Sequence, residues 1–243
     1  MVNKNYPHVE NFLASISNDR LQYFIFIGLS IVMLIFAGIL CYSDNQIFQR
    51  FIGKINPMVA VLLAMFIGII LFSFLLPQKW FSIYGKEPLD GFIRSSVLAA
   101  VFGVIIILVD MKIVFSADTN ILFPKSILFY PAIGFLVEIF VHVLPVTVLL
   151  LLLNSILKNA NVFLISILIV ALFEPIYQAM DMANSNQYPL WAVLYVGLHV
   201  YLINLVQLLI FKKYDFISMY SFRLVYYLFW HIGWGFIRLR LLF

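Results

Sequence analysis

One cysteine, Cys41, is all the sequence offers. That excludes an intrachain disulfide and a thiolate cluster, and the redox compartment stays unread. Charge is scarce as well, at 11% of residues, and no stretch is polar enough for a soluble domain of its own. Basic residues outnumber acidic ones, 15 to 11, yet they are scattered among short connections. A nucleic-acid footprint is thereby excluded, and the surplus reads as lipid head-group contact. The sequence also lacks a Gly-rich phosphate loop, a G-x-S-x-G elbow and an H-E-x-x-H helix, which removes three common catalytic frameworks. No internal repeat, heptad array or low-complexity tract is present.

What is abundant is apolar chain. The 243 residues are 64% hydrophobic, with 25 Phe and a mean hydropathy of +1.05. About 20 apolar residues cross a bilayer core, and about seven such stretches are predicted: 21–42, 57–77, 90–115, 128–153, 161–181, 190–211 and 216–239. The expected fold is an all-α, polytopic transmembrane helical bundle. It has a polar segment at 1–20, N-terminal spans over 21–115 and a core over 125–239. The first apolar run is too long for a signal-peptide core and reads as a retained span. Trp80, Trp191, Trp230 and Trp234 fall near predicted span ends, where an interfacial belt would place them. Basic residues divide almost evenly between the two faces, so orientation is not determined.

Against this background the ionisable residues inside spans stand out. The stretch "LVEIFVHVLP" carries Glu138 and His142, four residues apart and roughly 40° from alignment on a helix, so they share a face. Glu174 follows in "ALFEPIYQAMD", with Pro175 loosening its helix; His199 lies in "VGLHVYLINLVQ", and Arg223 and His231 in "SFRLVYYLFWHIGWG". Counted from one membrane face, these acids and imidazoles lie about seven to fourteen residues deep at 1.5 Å each. A shared cavity open to one face is the expected arrangement. Taken singly, each histidine reads equally as a helix-to-helix hydrogen bond. Arg223 either pairs with a carboxylate or snorkels to the head groups. Asp110 and Asp181 read as interfacial, Asn204 and Gln207 as bonds to a neighbouring helix, and Tyr226 and Tyr227 as packing.

A buried glutamate beside imidazoles is the minimum equipment for activating water. The E-x-x-x-H spacing does not match a zincin helix, so no cofactor is expected, and a metal site assembled across helices is the one metal alternative left open.

The second half resembles the CPBP intramembrane proteins, the CAAX protease, bacteriocin-processing or Abi family. That family's pattern is Glu-Glu-x-x-x-Arg, then Phe-x-x-x-His, then His-x-x-x-Asn or Asp. "VEIFVH" looks like the first motif, with Glu138 kept, Val137 for the first acid and His142 for Arg. "FEPIY" keeps Phe173, with Tyr177 for His and an extra Glu174. After the lead-in "FKKYDFISM", Arg223 and Tyr227 stand where His and Asn belong, with His231 one turn on. The resemblance covers about residues 125–235. It implies a metal-independent peptidase of the cell membrane, cleaving a prenylated or other hydrophobic peptide. Glu138, His142, Glu174, His199 and His231 would form the catalytic set, and Arg223, Tyr177 and Tyr227 would be charge or substrate partners. Val137 and Tyr177 keep a second reading open, a non-catalytic scaffold or immunity-type protein binding a partner helix. A proton-coupled transporter is a third.

Overall fold

The computed structural model describes residues 7–44, 46–85, 87–116, 119–157 and 161–242. Among these residues there is helix and no strand. The helices are α1 (Pro7–Ser43), α2 (Gln49–Ile52), α3 (Pro57–Leu75), α4 (Pro88–Ile113), α5 (Lys125–Val137), α6 (Leu144–Ile156), α7 (Val162–Val170), α8 (Phe173–Ser185), α9 (Leu190–Lys213), α10 (Phe216–Tyr227) and α11 (Gly235–Leu241). A π-turn, Glu138–Val143, joins α5 to α6, and a second, Leu228–Trp234, joins α10 to α11.

Among the described residues, six helical stretches are long and apolar enough to cross a membrane: Asp19–Ser43, Pro57–Leu75, Pro88–Ile113, Lys125–Ile156, Val162–Ser185 and Leu190–Lys213. The seventh expected stretch also runs as helix from Phe216 to Leu241, but Arg223, His231, Arg238 and Arg240 make it more polar than the six. The chain is thus an all-α polytopic membrane bundle. Of the polar segment 1–20, residues 1–6 lie outside the described residues, and from Pro7 the chain is already the beginning of α1 rather than a separate element.

Local chemistry sets the helix starts. Asn56 caps α3 by accepting from the Met58 amide at 2.9 Å, with Pro57 at the first helical position. Asn161 caps α7 through Leu164 N, and Asp215 caps α10 through Ser218 N at 2.6 Å. The second oxygen of Asp215 accepts from Gly85 N at 2.7 Å, and Gln22 holds Ile83 N at 2.8 Å, so the connection before α4 is pinned against α1 and α10.

Helix α4 approaches α10 along Gly91, Ser95, Ala99 and Gly103, a small residue every fourth position. A methyl group on Gly91 would lie 2.3 Å from Ser218 Oγ, and one on Gly103 would lie 2.7 Å from Phe229 Cβ. Ser95 and Ser221 exchange a hydrogen bond at 3.0 Å across the seam. This close approach brings the polar side of the last helix against α5, α4 and α9, which positions the site.

Candidate functional site

Glu138 begins the first π-turn and has no exposed surface. Its Oε1 accepts from Arg223 Nε at 2.5 Å and from Gln207 Nε2 at 2.6 Å, while Oε2 lies 2.7 Å from His142 Nδ1. Arg223 is shared further. Its terminal nitrogens donate to the Tyr227 hydroxyl at 3.0 Å, to Gln207 Oε1 at 3.2 Å and to Glu174 Oε2 at 3.3 Å. Gln178 donates to the other oxygen of Glu174 at 3.1 Å. Four helical stretches therefore meet through one guanidinium set between two carboxylates. Arg223 points inward, and the snorkelling alternative is overturned.

Burial decides what this cluster can do. A buried ion pair is favourable only when both charges are fully hydrogen-bonded, and every oxygen of Glu138 has a donor at short range. To act as a base toward water, Glu138 would have to give up one of these bonds. Glu174, whose side chain is 18% exposed, is the carboxylate of the cluster with access to its surroundings.

The other expected members are elsewhere, and the expectation of one shared cavity is corrected. His199 is buried between Phe102, Tyr195 and Tyr226, with its Nδ1 3.4 Å from the Tyr195 hydroxyl. His231 stacks on Tyr130 at 4.5 Å and lies 3.3 Å from Asn120 Nδ2. It reaches the cluster only by ring contact with Tyr227, at 5.1 Å. Tyr177 is 72% exposed on the outer side of α8 and is no partner of the cluster. Depth counting failed because depth fixes no direction around the helix: His199 on the uninterrupted α9 turns to aromatic neighbours, and the π-turn Leu228–Trp234 shifts His231 relative to a uniform helix.

A second polar centre was not expected. Asp110 was read as interfacial, yet it is completely buried, as is Arg238. Arg238 Nε donates to Asp110 Oδ2 at 2.7 Å and its NH2 to Oδ1 at 3.1 Å. Further donations go to Asn120 Oδ1 at 3.0 Å, Ser116 O at 3.1 Å and the Phe115 carbonyl. Trp234 Nε1 donates to Asp110 at 2.6 Å, and Trp230 is buried nearby, so neither belongs to an interfacial belt. A readable signal existed: Asp110 falls seven residues after Gly103 on the packed face of α4, and Arg238 continues the spacing of Arg223, Tyr227, His231 and Trp234.

Asp110 also accepts from Phe115 N at 2.9 Å, which holds Val114 in a left-handed conformation at φ 54°. That region is costly for a β-branched residue, by about 1–2 kcal/mol. Val114 is partly exposed, so little packing opposes a change. Val114→Gly is expected to raise stability by about 1 kcal/mol in a reversible unfolding titration in micelles. A loss of stability would show that the side chain, and not the backbone, matters there.

Among the described residues, no group of three or more His, Cys, Asp or Glu side chains could hold a metal ion. Comparison with protein-family models, curated proteins and solved structures gave no match.

Proposed function

We propose that the chain is a non-catalytic integral membrane protein, built on a CPBP-like bundle, that holds a transmembrane segment of a partner in the cell membrane. The observation that carries this reading is the outer side of α8. Glu174, Gln178 and Asp181 recur at i, i+4 and i+7; Glu174 and Gln178 turn toward the charged cluster and are partly buried, and the row ends on the exposed Asp181. Beside it Phe173, Ile176, Tyr177 and Met180 are exposed as well. Polar groups facing lipid are unfavourable, whereas polar groups between helices associate them, so a neighbouring span presenting an amide or basic side chain would cover Asp181 and the partly exposed edge of Gln178. The saturated Glu138 supports the same reading, because the arginine occupies the place where a peptidase would work on water.

The test is site-specific photo-crosslinking in cells from a probe at Tyr177 or Met180. A discrete protein adduct is expected that disappears with Gln178→Leu and Asp181→Leu and does not form from Val97 on α4. Identical adducts from all three positions would overturn the reading. A peptidase acting on prenylated or other hydrophobic peptides is the second reading, and the partial exposure of Glu174 favours it: Glu174 would be the base.

A further inference from the structure

The span containing Glu174 is broken. Helix α7 stops at Val170, and α8 starts at Phe173. The amide that would close an α-turn onto the Ala171 carbonyl belongs to Pro175, which has no hydrogen to give, and Ala171 is fully buried. Across from this break, Asn204 on α9 is also fully buried, and neither atom of its side-chain amide has a hydrogen-bond partner among the described residues. An unbonded buried amide is costly and calls for a ligand or water.

Register brings the two together. A methyl group on Gly197 would lie 3.6 Å from Ala179 Cβ, and α8 and α9 run antiparallel over a short connection. Two turns onward on α9 is Asn204, and two turns back from Ala179 the chain reaches Leu172, the residue that caps α8 and follows Ala171. Gln207, one turn beyond Asn204, already belongs to the charged cluster. There two carboxylates, Glu138 and Glu174, face one guanidinium, Arg223, and His142 lies on Glu138, so a surplus of negative charge is left when the imidazole is neutral.

We propose that this junction binds a monovalent inorganic cation such as Na+. Its ligands are the Asn204 side-chain oxygen, the Ala171 carbonyl and the Glu174 carboxylate, and the Asn204 amide nitrogen donates to a water of the ion's shell. The donors are hard oxygens, and the carbonyl end of α7 adds negative potential. One available carboxylate suits a single positive charge better than a divalent ion, which takes six to eight oxygens with several carboxylates. Discontinuous helices of secondary transporters use unwound carbonyls for Na+ in this way. The site is independent of whether the chain cleaves peptides or holds a partner.

The experiment uses the purified full chain in micelles, with NaCl exchanged for N-methyl-D-glucamine chloride at constant ionic strength. Radioactive Na+ binding and the thermal midpoint are read together. Saturable binding is expected, with a midpoint that rises as Na+ is added. Glu174→Gln and Asn204→Leu should each weaken the affinity by about tenfold or more. Wild-type protein that binds no Na+ above background would overturn the site, whether or not the variants fold. A Na+ effect unchanged in both variants would overturn it equally.

Discussion

Arg223→Met is expected to destabilise the protein by about 3–5 kcal/mol, because it takes the guanidinium from Glu138 in a site with no exposed surface and leaves it only Gln207 and His142. The cost lies in the orphaned partner and not in the value of the ion pair itself. Removing both charges should therefore recover most of it: Glu138→Leu in the Arg223→Met background restores stability, since buried pairs exchange for apolar side chains at little net cost. Reversible unfolding of the two singles and the double in mixed micelles measures the coupling. A single variant within about 1 kcal/mol of wild type would mean that Glu138 is not held as the geometry shows. So would a double no better than Arg223→Met.

Arg238→Met is the second large effect, expected at about 3–5 kcal/mol by the same reasoning, with Asp110 now the stranded charge. It differs in reach. Arg238 also donates to the carbonyls of Phe115 and Ser116 and to Asn120, so its loss should free the connection after α4 as well as weaken the bundle. Amide exchange at Phe115, whose N–H is bonded to Asp110, should accelerate far more than exchange in α9. Uniform acceleration across both regions would show only global destabilisation and would count against a local anchoring role.

Much of the membrane bundle was legible in the sequence because hydropathy over about 20 residues is a strong signal. The connections from Glu138 to Arg223 and from Glu174 to Arg223 were legible for a related reason. Each charge in a span needs a partner, and few candidates exist. Three features were not legible. The π-turns at Glu138–Val143 and Leu228–Trp234 have no composition of their own, and they rotate every residue beyond them. His199 and His231 found aromatic neighbours in place of the cluster, which depth alone could not foretell. Asp110 and Arg238 sit where charge ordinarily faces head groups, and only their place on packed helix faces distinguishes them.

The central proposal is that Arg223 clasps Glu138 and Glu174 together and leaves Glu138 no free oxygen with which to activate water. Its most direct test is turnover per folded molecule, with purified protein in liposomes and prenylated and unprenylated peptides, for wild type, Glu174→Gln and Glu138→Gln. The account predicts no cleavage above the lipid-only background for any of the three. It also predicts that Glu138→Gln lowers the yield of folded protein while Glu174→Gln does not. Wild-type cleavage that falls 10²- to 10⁴-fold in Glu174→Gln at unchanged folded yield, the loss typical of a missing general base, would contradict it.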